Sequence, residues 1–528
     1  MKRWSLISVF LVGCSQAAQI NPPVEDGGVV EEVTPEDAGP KDSGPVRDGS
    51  KADVGLEEQT PPSPPVPATD LEISEIALFQ GVKVPLMKDG AAVKSVYAPV
   101  VAARPGLLRV YLKLSPTFRT RELTAVLTIG TIERTVKLDV KQGSSDSELN
   151  STMNFALGAE DIAQGNSTFK VRILGPTYPG APTTPPAQYP AGIGNASLDA
   201  VGSAKLRIVL VPVRYDADGS GRLPDTSAAT VDAYSKAFYE LYPTTGVNVT
   251  VRNAVSWSSA IAADRTGWHE ILEQMTALRA QDNAATDAYY LGIFSPAATF
   301  TTYCANGCTA GLASLITNPN DSSFRAGVAI SYSADAYSLE ASVEAATHEV
   351  GHLHGRSHVG NTGTNPRCAI PSGLDASYPY GGDSSIGSWG YGFLGKTLYS
   401  PDKYADFMGY CIDNWISDYN YGALLTRTQT VATLTKSIAA PGGEYRFVRI
   451  GENGNLRWGP TVTFPTAPKN NPTTVRVADG SGNIRNVTGY HYPHGDGEGG
   501  TLLVRASEVN GKRIEIDVKG LTRSLLAP

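Results

Sequence analysis

The stretch Thr347–Val359, THEVGHLHGRSHV, gathers four of the chain's seven histidines. Neutral imidazole is a good donor to borderline metal ions, so the chemistry to test first is metal binding. On a helix, residues four apart lie about 40° from each other around the axis. His348 and His352 then project from one face, one turn apart, and can grip one ion. Glu349 flanks that face and can reach a water beside the ion without being a ligand. Gly355 stands where a helix ends by entering a left-handed turn, after which His358 can swing back as a third ligand. Three imidazoles leave a fourth position open, the arrangement of a catalytic zinc rather than a structural one. His354 lies about 240° around the helix from His348, so it points away from the ion and reads as a surface or supporting residue.

In a chain this long HExxH alone arises by chance at roughly the per-cent level, and the pattern with glycine and third histidine at on the order of one in ten thousand. The stretch resembles the metzincin zinc proteases, whose HExxHxxGxxH motif it matches at every fixed position. The resemblance implies one catalytic Zn2+ held by His348, His352 and His358, with Glu349 as general base. It also implies a methionine turn beneath the metal. Tyr404-Ala-Asp-Phe-Met-Gly-Tyr-Cys411 fits that turn with Met408, one of only five methionines, a plain core methionine being the alternative. Tyr410, two residues on, matches the tyrosine that in the astacin and serralysin branches approaches zinc and helps stabilise the oxyanion; a packed or hydrogen-bonded tyrosine is the alternative. The family layout places a mixed sheet and two helices before the active-site helix, an irregular lower half, and a final helix after the turn. SDYNYGALLTR (417–427) can supply that last helix, although Gly422 weakens it. RAGVAISYS (325–333) would be the cleft edge that pairs with an extended substrate. The resemblance covers roughly residues 201–430 and matches no named branch; bacterial secreted branches, including mucin-cleaving ones, are nearest.

The elements that must position these residues are legible as pattern. Leu206–Val213 (LRIVLVPV) is a continuous apolar run, as a buried strand would be. A helix is expected over 226–241, a strand over 247–255, a helix over 268–280, strands over 289–294 and 327–332, and a helix over 338–354. That order describes an α/β layer whose last helix carries the histidines. Upstream, LRVYLKL (108–114), LTAVLTI (123–129) and VKLDV (136–140) alternate with period two, as strands of a sandwich do. A Pro/Gly-rich linker follows over 176–194. Downstream, YRFVRI (445–450), TVRV (474–477) and RIEIDV (513–518) alternate again. The expected fold is therefore multidomain. An α/β zincin, metzincin-like catalytic domain (201–435) is flanked by all-β sandwich-like domains at 70–200, with its linker, and at 436–528.

The ends and the composition narrow the setting. Lys2 and Arg3 precede an apolar run, Trp4–Val12, and then Leu11-Val12-Gly13-Cys14. This reads as a bacterial lipoprotein signal over 1–13, with Cys14 the lipidated residue; an ordinary signal peptide with an incidental cysteine is the alternative. Residues 14–69 are rich in Pro, Gly, Asp and Glu, too poor in apolar surface to order themselves, and read as an acidic tether. The expected location is the bacterial cell envelope, exported and held to the membrane by the lipid alone, since no apolar run reaches the length of a span. A net charge of −8 argues against a nucleic-acid partner. Four further cysteines remain, and pairing by neighbourhood gives Cys304 with Cys308 and Cys368 with Cys411. No cysteine lies between Cys14 and Cys304, so a cysteine latency switch would need a free Cys14.

Weaker signals point to packing rather than chemistry. Asp216-Ala-Asp-Gly-Ser-Gly221 resembles the start of a Ca2+ loop, but Ser227 stands where the last glutamate belongs, and a turn is preferred. His491, His494, Asp496 and Glu498 could bind a cation, though a solvated loop is the simpler reading. Trp389–Phe393 either lines the cleft or packs. The function expected is a zinc-dependent endopeptidase hydrolysing extracellular proteins or glycoproteins. The alternative is a cell-surface adhesin or binding module on a metzincin fold, which would ordinarily have lost Glu349 or a ligand. A zinc hydrolase of non-peptide substrates is a third reading.

Overall fold

In the computed structural model, residues 65–434 and 441–526 are described, apart from Thr177, 182–184, 361–367, Ile370 and Glu498. The leader, Cys14 and the tether as far as residue 64 lie outside the described residues. Strand pairing begins at Val66–Pro67, which joins Gly165–Gly175.

A six-stranded sheet carries the metal-binding region. Its centre is Leu206–Tyr215, paired in parallel with Val247–Val251 and Ala288–Phe294, and further along with Val255–Trp257. Ala326–Ile330 continues the parallel order beside Ala288–Phe294, and Gly311–Ala313 closes the sheet antiparallel to it. Every residue of Ala288–Phe294, Ala326–Ile330 and Gly311–Ala313 is buried, because both faces are covered; that explains the continuous apolar runs. Five helices accompany the sheet: α1 (Ala228–Leu241), α2 (Trp268–Gln281), the short α3 (Phe300–Tyr303), α4 (Ala336–Leu353) and α5 (Asp418–Ala432). Ser227, Asp335 and Ser417 start α1, α4 and α5 by accepting a backbone N–H in their first turns. Among the described residues no helix is long and apolar enough to cross a membrane.

The fold expectation needs correction. The described residues are mostly β, 41% strand against 17% helix, with several curled sheets and few helices; they do not form an α/β zincin domain between two separate sandwiches. The strand–helix alternation that prompted the expectation ends with α4. From there to α5 the described residues form only strands of two or three residues, such as Cys368–Ala369 and Gly390–Gly392. Gly390–Gly392 and Thr397–Tyr399 complete a seven-stranded sheet begun by Leu71–Phe79, Gly81–Lys88 and Gly106–Leu114. Tyr391 accordingly packs edge-on against Phe79 and Phe393, so Trp389–Phe393 is a packing segment. A second seven-stranded sheet, with Arg121–Ile129 and Ile132–Val140 at one edge, lies beside the first in sequence. The C-terminal strands form a third, wholly antiparallel sheet of seven. Its Phe447, Phe464 and Tyr492 rings gather on Phe324, and Tyr492 stacks on it at 3.8 Å. One apolar core thus runs from the N-terminal strands through the parallel sheet into the C-terminal sheet. Local periodicity reports single elements; the merging of sheets across hundreds of residues has no local signature.

Candidate metal centre

Helix α4 begins with a reciprocal cap, Asp335 accepting from the Ser338 N–H at 2.8 Å. From Ala345 to Leu353 every residue is buried although the segment contains His348, Glu349 and His352. Gly355 ends the helix with φ of 80°, and the Arg356 N–H returns to the Gly351 carbonyl at 3.0 Å. A side chain at Gly355 would overlap the Arg427 guanidinium, whose Nε donates to the His354 carbonyl at 2.9 Å. The reversal brings His358 back to α4, where its backbone carbonyl accepts from Asp375 at 2.7 Å.

The three histidines converge as their spacing requires, and a fourth group joins them: His348, His352, His358 and Asp496 form one buried cluster. Each imidazole Nδ1 faces a carbonyl, which can only accept: His348 to Phe407 at 2.8 Å, His352 to Arg356 at 2.7 Å, His358 to Ser372 at 2.6 Å. The protons therefore sit on Nδ1, and three Nε2 lone pairs face inward. The His348 and His358 Nε2 atoms stand 3.2 Å apart. Asp496 Oδ1 lies 3.4 Å from His348 Nε2, 3.4 Å from His352 Nε2 and 3.3 Å from His358 Nε2. A tetrahedron of donors about 2.0–2.1 Å from a central ion has edges of about 3.3 Å. Four of the six separations match that edge, and all four donor atoms lie within 4.8 Å of one another; lone pairs and a carboxylate so arranged repel unless a cation lies between them, so the group could hold a metal ion.

Glu349 is buried beside this cluster, its carboxyl against that of Asp496. Burial, reinforced by the Asp496 carboxylate, pushes its carboxyl well above the usual range. Burial opposes charge on Asp496, and only positive charge at the centre, on the imidazoles or on an ion, would offset it and hold its carboxyl below the usual range. Gly311 makes room for Glu349, since a Cβ there would overlap its carboxylate. Tyr410 sits over the centre, its ring 4.6 Å from His358 and its hydroxyl donating to Asp496 Oδ1 at 2.8 Å. Burial first, then the Asp496 charge, raises that phenol well above its ordinary value.

Met408 is fully buried, and a side chain on Gly351 would run into its sulfur. Its turn is held by Asp406, whose Oδ1 accepts from the Met408 N–H at 2.8 Å and Asn420 Nδ2 at 2.7 Å, and whose Oδ2 accepts from the Ser417 N–H at 2.9 Å. The turn in turn supports the ligands: the Phe407 carbonyl takes His348 Nδ1, and the Met408 carbonyl takes the Val359 N–H at 3.1 Å. The disulfides are Cys304–Cys308 and Cys368–Cys411, the second next to Tyr410.

Three readings change. His354 is buried rather than on the surface, stacked on Tyr289 at 4.4 Å with Nδ1 donating to the Val350 carbonyl. Segment 325–333 is not the sheet edge, because Gly311–Ala313 lies outside it. The loop read as solvated buries His494 and Asp496 and delivers the latter to the metal centre; Glu498 lies outside the described residues. At the suspected calcium loop, Asp216 faces Arg214 and Asp218 faces Arg222 and Ser220, and among the described residues only the His/Asp cluster gathers three or more metal-competent groups. Asp406 escaped sequence reasoning, and Asp496 was visible only as a possible cation ligand in a loop read as solvated: each is one carboxylate in an unremarkable turn. The pair of histidines just before Asp496 was the only signal available. No family model matches this chain, and no curated protein matches it significantly.

Proposed function

We propose that this chain is a zinc-dependent endopeptidase whose metal-binding stretch follows the HExxHxxGxxH pattern, acting on extracellular proteins or glycoproteins. The observation that carries the reading is the convergence of His348, His352 and His358 beside the buried carboxyl of Glu349. His348, His352 and His358 would hold the zinc, which when bound supplies a Lewis acid that acidifies water toward a pKa of about 7 and polarises a carbonyl. Glu349 takes the proton of the attacking water at Oε2 and passes it to the leaving amine. The Tyr410 hydroxyl, which here donates to a carboxylate oxygen, is placed to donate to the oxyanion of the tetrahedral intermediate. The backbone of Gly311–Ala313, beside Glu349, offers the strand edge for an extended substrate.

Export and anchoring through Cys14 belong to the same proposal, with no nucleic-acid partner; incorporation of a fatty-acid analogue at Cys14 tests the anchor. For the activity, mixed proteins and glycoproteins are incubated with the protein, with and without chelator, beside Glu349→Ala. The expected result is chelator-sensitive cleavage that the variant loses by about 10²–10⁴-fold while keeping its zinc. Cleavage retained by the variant refutes the mechanism. One observation favours the second reading, an adhesin or binding module with a structural metal: the centre already has four protein donors.

A further inference from the structure

The fourth donor arrives on a segment that also behaves as a bound peptide would. Strands Ile484–Pro493 and Gly500–Arg505 of the C-terminal sheet form a hairpin whose connection passes over the metal centre. There the chain lies antiparallel along the sheet edge. Leu315 donates to the Pro493 carbonyl at 2.7 Å, Gly495 donates to the Ala313 carbonyl at 2.9 Å, and Ser314 bridges His494. These are the main-chain bonds of an added strand. Gly495 rests against His352 so closely that a Cβ would overlap the imidazole ring. The next residue, Asp496, completes the donor tetrahedron and takes the Tyr410 hydroxyl. The segment is tied down beyond the site by His494, edge-on to His269 at 4.4 Å, and by Tyr492, stacked on Phe324.

We propose that residues 493–496 are a built-in occupant of the metal centre, Asp496 serving as its fourth protein ligand. Their backbone fills the strand-pairing position, so the folded chain holds the metal closed until the hairpin is displaced. The inference rests on the proposed peptidase reading for its biological meaning, but the closure itself is a property of the metal site. Both requirements of a plug are met by adjacent residues: one backbone amide satisfies the edge strand, and one carboxylate satisfies the ion. Because the ligand belongs to a hairpin connection rather than to α4, it can leave without unfolding the helix that holds the other three.

The test uses the full chain with Co2+ in place of zinc, titrated with acetohydroxamate and followed by visible absorption. Wild type should keep its spectrum at concentrations that shift Asp496→Ala and Asp496→Asn. If the open form is about 1% of molecules, the variants bind acetohydroxamate about 100-fold more tightly. Equal binding by wild type and variants overturns the plug, as does a variant that stays inert. Should both variants fail to fold, wild type alone decides: ready binding of acetohydroxamate overturns the proposal and inertness supports it. Peptide cleavage, read in parallel, separates the two ideas. Variants that open to acetohydroxamate but cleave nothing support the plug and refute the peptidase. Wild type that cleaves as fast as the variants refutes the plug and leaves the peptidase standing.

Discussion

Replacing Gly351 with alanine sets two effects of opposite sign against each other inside the metal-binding helix. Gly351 lies in the last turn of α4, where alanine gains about 1 kcal/mol in helix propensity. The added methyl, however, would overlap the Met408 sulfur and lie 3.2 Å from Phe407 Cε2 and 3.3 Å from Met408 Cε. Both neighbours are buried, so neither swings away into solvent. Overpacking of this kind costs about 1–3 kcal/mol, which exceeds the propensity gain and leaves a net loss of roughly 1 kcal/mol. The larger consequence is positional. The Phe407 carbonyl orients His348 at 2.8 Å, and the Met408 carbonyl holds Val359, the residue after His358, at 3.1 Å. Pushing this turn therefore disturbs two ligands together, and zinc affinity should fall by about 10–100-fold, as when groups that orient metal ligands are lost. Competition with a chromogenic chelator measures the affinity directly. In a Met408→Ala background the methyl has room, and the Gly351→Ala penalty should shrink to within about 0.5 kcal/mol, a coupling that a double-mutant cycle isolates. Gly351→Ala protein that binds zinc as wild type does, and is also more stable, would show that Met408 does not brace the helix from below.

Other consequences can be checked independently. Burial drives the His354 imidazole down to about 3, its bond to the Val350 carbonyl opposing and the Arg427 and Arg325 charges assisting. The ring is thus neutral when folded but takes a proton near pH 6.5 when unfolded. Its contribution is complete above about pH 6.5 and is lost as pH falls toward 3, by up to about 1.4 kcal/mol per pH unit. Urea midpoints at pH 7, 6, 5 and 4 should fall less steeply for His354→Phe than for wild type; parallel slopes would contradict this. Cys368 and Cys411 close a loop with a sequence separation of 43, so Cys368→Ser with Cys411→Ser should cost about 2–4 kcal/mol, read as a lower unfolding midpoint that reductant shifts less than it shifts wild type. Tyr410→Phe, made on top of Asp496→Ala, should lower kcat by about 10²-fold with little change in KM. Unchanged turnover would remove Tyr410 from the chemistry.

What could be read in advance divides by the distance over which each contact acts. His348, Glu349 and His352 were legible because helix periodicity alone puts them together, and His358 because Gly355 can only mark a reversal. The strand Ala288–Phe294 was legible because burial on both faces leaves no polar alternation, and Leu206–Tyr215 because Leu210–Val213 in its middle are buried throughout. Met408 and Tyr410 became visible only through the spacing of a known motif; nothing in their own neighbourhood points to a metal. The short strands Gly311–Ala313 and Gly390–Gly392 lie below any periodic signal, since two or three residues cannot display a period. Asp496 is the extreme case. It meets His358 across 138 residues of sequence, in a stretch whose glycines and charges describe a solvated turn. Its burial follows from register: once Tyr490 pairs with Leu503 and Pro493 with Gly500, the connection has one place to go, across the Gly311–Ala313 edge. The division has a physical sense. Ligands that must keep their geometry sit a helical turn apart on one rigid element. The group proposed to withdraw sits on a hairpin connection, held by two backbone hydrogen bonds, the Tyr410 hydroxyl and the ring contacts of His494 and Tyr492.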